Sequence, residues 1–314
     1  MHRTAKVLLL TLAGACGAAS PTILSAQDIS RDPATVRLVV DDIRRLAEVL
    51  RSLEAGGDTA AVLQRDYLAH ASPGLRAYVS RYNVTPATMA AAIARRPATY
   101  ANLDRLADAL LAQEPLLRSG FRGLLELFPG AAFAPIWFVA GHLGPGGMAS
   151  PEGAIIAAER FVPEPEDVVP LVLHELTHFQ QAMVQGVATY RRIYGPGQTL
   201  LALALREGSA ELIAELTTGR HINPAAERYG LEHERTLWQE FRDAMHDRET
   251  GEWMFVRPSN PARPPDLGYW IGYRIAKAYY ERAGDKAQAI RDILGLTDFA
   301  AFLRASGYAE RVAR

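Results

Sequence analysis

Apolar positions along the first third of the chain recur at three-to-four spacing. Val36, Val39, Ile43, Leu46, Leu50 and Leu53 predict a helix opened by Asp32 as N-cap and Pro33 at its first turn. Thr85 and Pro86 repeat that start signal ahead of Met89 and Ile93, and helical patterns follow at 103–111 and 116–127. The pattern changes at Pro135. A continuous apolar run at 136–140 predicts a buried strand, the glycine-rich 141–147 a loop, and 153–158 a second strand. Helical periodicity then returns. The segment 168–181 is apolar nearly all round, with Asp167 as N-cap, Pro170 in the first turn and Gly186 as its stop, which predicts a buried helix. Segment 199–218 is capped by Thr199 and closed by Gly219, and 224–247 reads as a further helix. A proline-rich loop at 256–266 precedes a helix that carries Tyr269 and Tyr273 and runs to about Arg282; Ile290, Ile293, Leu294, Phe299 and Leu303 mark closing helices. The expected fold class is α+β, mostly helical, with a helical N-terminal region at 27–130 and a second region at 131–314 that holds a small sheet.

The start of the chain changes the picture of where the protein works. His2, Arg3 and Lys6 precede an apolar run from Val7 to Ala19, and Leu24-Ser25-Ala26 precedes Gln27. These are the marks of a secretory signal peptide, 1–26, which implies export to the periplasm or beyond. Cys16 gives a weak lipoprotein signal, because the residue three before it is Ala13 rather than Leu. It is the one cysteine in the chain, so cleavage after Ala26 leaves no thiolate ligand and no disulfide. A net charge of −1 gives no reason to expect a nucleic-acid partner, and beyond the leader no segment is long enough to span a membrane.

The candidate chemistry lies in the predicted buried helix, where His174, Glu175 and His178 spell H-E-x-x-H. Positions i and i+4 share a helix face, so both imidazoles can address one metal ion with Glu175 beside them. Buried, these groups need partners or a metal. The next helix offers Glu207, Glu211 and Glu215 on one stripe, next to apolar runs that turn part of it inward. Glu207 is assigned as third ligand, with Gly208 allowing close approach of the two helices. Glu211 is assigned to accept the outer ring N–H of a histidine, although the two glutamates could exchange roles. Glu215 reads as a solvated position. His70 has no cluster with ligand spacing, His142 in the glycine-rich loop reads as a surface residue, and His221, His233 and His246 read as structural or exposed, with one able to hydrogen-bond a transition state.

The segments H-E-L-T-H-F-Q-Q and R-E-G-S-A-E resemble the gluzincin metallopeptidases. With G-Y-W-I-G-Y-R-I-A-K-A-Y-Y at 268–280 they look most like the bacterial family of predicted Zn-dependent proteases whose substrates are mostly unknown. The resemblance implies a zincin-like core with a small sheet above the site, whose edge strand could pair with an extended peptide. It also implies zinc on His174, His178 and Glu207, with Glu175 as general base toward a zinc-activated water. Tyr273 is either a half-buried packing residue or the donor to the developing oxyanion. The spacing between the two motifs exceeds that of the best-known gluzincins, and the insert at 187–198 is expected to form a loop at the site. The expected activity is hydrolysis of a peptide or protein substrate. Two alternatives stand beside it: an exported binding or scaffold protein with a structural or vestigial metal, and a zinc amidase acting on a non-peptide amide.

Overall fold

The computed structural model describes residues 29–53, 57–161 and 164–313. The leader expected at 1–26, with Cys16, lies outside the described residues. The first half contains α1 (Asp41–Arg51), α2 (Thr59–Val62), α3 (Pro73–Tyr82), α4 (Pro86–Arg95), α5 (Pro97–Tyr100), α6 (Leu103–Leu111) and α7 (Glu114–Leu127). The second contains α8 (Val168–Gln185), α9 (Val187–Tyr194), α10 (Leu200–Thr218), α11 (Pro224–Ala244), α12 (Leu267–Arg282), α13 (Lys286–Leu294), α14 (Phe299–Ser306) and α15 (Tyr308–Ala313). Four short strands complete it: β1 (Leu38–Val39), β2 (Ile136–Val139), β3 (Gly147–Ser150) and β4 (Gly153–Ala157). The fold is α+β and mostly helical, as the periodicity predicts. Among the described residues no helix is long and apolar enough to cross a membrane.

The helix expected from Asp32 onward is not continuous. Asp32 caps only a three-residue turn, Pro33–Thr35, by accepting from Ala34 N–H at 2.9 Å. The chain then extends into β1, and the helix begins at Asp41. Main-chain pairing with β2 overrides the three-to-four pattern at its first two positions, Val36 and Val39.

The sheet runs β1-β2-β4-β3, with β1, β2 and β4 parallel and β3 antiparallel to β4. Every residue of β2 and β4 is buried, so both faces of these strands are covered, in keeping with their unbroken apolar runs. Helix α3 packs on β2 and β4, α1 on β2, and α8 on β3 and β4. The N-terminal region is built into the sheet. It supplies an edge strand to the sheet, and one apolar core runs from Val36 to Val312 through both regions.

Helix α10 sits at the centre of the helical part, against α7, α8 and α12. Its approach to α12 is a glycine crossing. A methyl on Gly208 would lie 1.9 Å from the Tyr273 nitrogen, and one on Gly272 would lie 1.8 Å from the Ala204 carbonyl oxygen. Gly208 thus serves contact with α12, not with the HExxH helix as its position beside Glu207 suggested. Helix α8 ends at Gly186, whose φ of 80° a side chain rarely adopts. The insert expected as a loop is mostly the helix α9. The Asp167 side chain does not cap α8 but pairs with Arg220.

Candidate metal centre

Helix α8 is buried from Val168 to Gln181 apart from half-buried Leu171, because this part lies against the sheet and between α7 and α10, while its last turn reaches the surface. That burial fixes which face the H-E-x-x-H residues present. His174, Glu175 and His178 are 5–7% exposed, and Glu207, brought alongside by α10, is 4% exposed. Nε2 of His174 and Nε2 of His178 stand 3.0 Å apart, and Oε2 of Glu207 is 3.2 Å from the first and 3.0 Å from the second. A tetrahedral ion bonded at ~2.0–2.1 Å would hold its ligands about 3.3 Å apart, close to these three edges. Two imidazole nitrogens facing one another with a carboxylate oxygen leave room for one proton between the rings, whereas a cation satisfies all three lone pairs. This buried His-His-Glu group could hold a metal ion.

The surroundings divide the Glu207 carboxylate between two duties. While Oε2 faces the imidazoles, Oε1 receives the Arg206 guanidinium, with Nε at 2.8 Å and a second, shorter bond from Nη2. Burial alone would raise this carboxyl, but Arg206, His178 and the hydrogen bonds from both rings hold it well below the usual carboxylate range. The guanidinium lies over the Tyr194 ring at 5.7 Å. Gln181 ties the two helices together: its Oε1 is 2.9 Å from Nδ1 of His178, and its Nε2 donates to the Arg206 carbonyl at 3.2 Å.

Glu175 lies beside this triangle and against β3. The Ala149 N–H hydrogen-bonds its carboxylate, and a methyl on Gly147 would lie 2.6 Å from Oε1, so the glycine there makes room for it. Burial raises the Glu175 carboxyl to about 7, with His174 opposing and Glu207 reinforcing the shift. Three tyrosines from three elements surround the two glutamates. Tyr82, at the end of α3, reaches the Gly147 carbonyl at 3.4 Å, and burial followed by the Glu175 charge pushes its phenol up to about 12. Burial raises Tyr190 of α9, with Arg206 opposing. Burial and then Glu207 hold Tyr269 of α12 well above the usual phenol value. All three keep their protons at neutral pH and remain donors.

Four expected readings change. Glu211 orients neither histidine, because Gln181 holds His178 and the outer nitrogen of His174 has no hydrogen-bond partner among the described residues. Glu211 is buried one turn beyond Glu207 and stands 3.9 Å from Nε2 of His221, outside the ligand triangle. Tyr273 does not face the triangle either. Its hydroxyl donates to Glu215 at 2.5 Å, close to Lys277, and its ring packs edge-on to His221. Glu215 is thereby a partnered, half-buried group rather than a solvated one. The tyrosine that α12 brings to the site is Tyr269, stacked on His174 with ring centres 6.3 Å apart. His142 is half-buried, edge-on to Tyr78, instead of free at the surface.

The Gln181 role had a signal, since it lies three residues past His178 on the same helical face. Arg206 had only its adjacency to Glu207. Comparison of the chain with known protein families, with curated proteins and with solved structures finds no match.

Proposed function

We propose that this chain is an exported zinc-dependent peptidase, with His174, His178 and Glu207 as metal ligands and Glu175 as general base. The observation that carries the reading is the convergence of three donor atoms at 3.0–3.2 Å beside a separate buried carboxylate. A purely structural site has no use for the second carboxylate. Two imidazoles and one carboxylate form a three-ligand set of the kind that leaves a zinc position open. Bound there, zinc supplies Lewis acidity and a water of lowered pKa.

The chain's own residues supply the rest. Glu175, with its carboxyl near 7, takes a proton from the attacking water and returns it to the leaving amine. The Ala149 N–H fixes the direction of that carboxylate. Tyr269 donates to the oxyanion as charge develops, the role first considered for Tyr273. Strand β3 ends the sheet, so its outer edge can pair with an extended peptide by main-chain hydrogen bonds. The basic start and apolar run of 1–26 support export to the periplasm or beyond.

The test is metal content per chain in the wild type, His178→Ala and Glu207→Ala, together with Glu175→Gln assayed on a mixed peptide library. The reading requires about one zinc per wild-type chain. Both ligand variants must lose it, and Glu175→Gln must keep zinc while losing cleavage. Zinc without cleavage in the wild type would favour the binding-protein or non-peptide-amide alternatives, and no zinc would remove the site assignment.

A further inference from the structure

Beside the metal centre, Phe255 combines two features that folding alone does not favour. Its φ is +66°, in the left-handed region that bulky side chains rarely enter, and its residue surface is 56% exposed. The surroundings enforce this conformation. Met254 is fully buried, the Trp253 carbonyl accepts from Gly268 N–H at 2.9 Å, and Asp266 Oδ1 accepts from Phe255 N–H at 2.8 Å. Arg263, which stacks on Trp253 at 4.7 Å, pins the same loop through Glu240. The backbone is thus fixed in a conformation that leaves the ring with little burial.

Among the described residues its ring contact leads toward His174. Phe255 meets Tyr269 edge-on with centres 6.0 Å apart, and Tyr269 stacks on His174. Val256, the next residue, is a second exposed apolar side chain, 46% exposed. We infer that Phe255, Val256 and Tyr269 form a subsite that takes an aromatic or large aliphatic side chain of a peptide anchored at the metal. This inference rests on the peptidase reading and names its substrate class. Strain and exposure at Phe255 are then the cost of presenting a pre-positioned apolar wall next to the reacting bond.

The experiment uses the zinc-loaded chain and two metal-anchored probes, phenylalanine hydroxamate and glycine hydroxamate, titrated into wild type and Phe255→Gly. Glycine adopts a positive φ without strain, so the variant removes the ring without disturbing the backbone. The wild type is expected to prefer the phenylalanine probe by about 10-fold, a preference that falls to about 2-fold or less in the variant. The variant's melting temperature should not drop. Equal preference in the two proteins, or a loss of thermal stability in Phe255→Gly, would overturn the subsite, since the ring would then be a structural element. If neither probe binds wild-type protein that holds zinc, the peptidase reading itself fails and the subsite with it. Binding of glycine hydroxamate with no preference for the aromatic probe overturns the subsite alone.

Discussion

Oε1 of Gln181 stands 2.9 Å from Nδ1 of His178, one turn along the same helix, while its amide nitrogen holds the backbone of the residue before Glu207. With Nε2 committed to the ligand triangle, Nδ1 carries the proton and donates to this amide, which sets both the tautomer and the ring plane. Gln181→Leu should weaken zinc affinity by about 10- to 100-fold, and Gln181→Glu, which keeps the acceptor, should lose less. Competition against a chelator of known affinity measures both. Equal affinity in wild type and Gln181→Leu would show that the helices hold the ring without this bond.

Arg206 balances a carboxylate that burial would otherwise penalise. Its side chain is 19% exposed and Glu207 is 5% exposed, so removing the cation leaves a nearly dry anion with the imidazoles as its remaining partners. Arg206→Met should destabilise the metal-free protein by roughly 3 kcal/mol, as breaking a buried pair does. The loss should be smaller in the zinc-loaded protein, where the ion supplies the opposing charge. Urea titrations with and without zinc test this, and an equal loss in both states would mean that Arg206 acts through packing on Tyr194.

The α10–α12 crossing depends on two missing side chains. Gly208→Ala would place a carbon 1.9 Å from a backbone nitrogen of α12, which no rotamer change can relieve. The expected loss is about 3 kcal/mol or more, because the helix that carries Glu207 must shift. Gly284→Ala is the matched control: nothing lies within 4 Å of the added carbon. It should be neutral or stabilising by up to about 1 kcal/mol. Similar melting temperatures for the two variants would show that the crossing is looser than described.

Much of this was legible in the chain, for physical reasons that can be named. The H-E-x-x-H spacing, read with its apolar flanks, located α8 and the two histidines of the His-His-Glu group, and the fully apolar runs located β2 and β4. Strands β1 and β3 were missed because neither shows a period-two pattern. The first is two residues long and hides in helix-like spacing, and the second, Gly147–Ser150, is half-buried with hardly a branched side chain. Tyr269 and Tyr273 lie on one stripe of one helix, so spacing alone could not say which faces His174. The choice follows from the Gly208–Gly272 contact, which sets how α12 lies on α10. Glu211 was placed near the histidines by a similar stripe, and its neighbours prove to be carboxylates and His221 instead.

Those neighbours set up a pH dependence of stability. Glu211 is 4% exposed, its Oε2 accepts no hydrogen bond among the described residues, and His221 is 3.9 Å away. Burial, followed by the charges of Glu207, Asp266, Glu227 and Glu215, raises its carboxyl well above 4.5. In the unfolded chain this group loses its proton near the ordinary value, whereas in the folded protein it retains the proton to higher pH. Between the two the unfolded state binds fewer protons than the native one, so this group lowers stability as pH rises through that window. Below the ordinary carboxylate pKa both states are protonated and the contribution disappears. Glu211→Gln, neutral and similar in shape, should leave stability at pH 4 unchanged. At pH 8 it should raise stability by about 1 kcal/mol or more, the scale of relieving a buried group that lacks partners. Urea unfolding of the metal-free protein at the two pH values supplies the comparison. If the variant differs from wild type by the same amount at both, Glu211 is not a buried acid held protonated, and the carboxylates around it must be farther apart or better solvated than the fold places them.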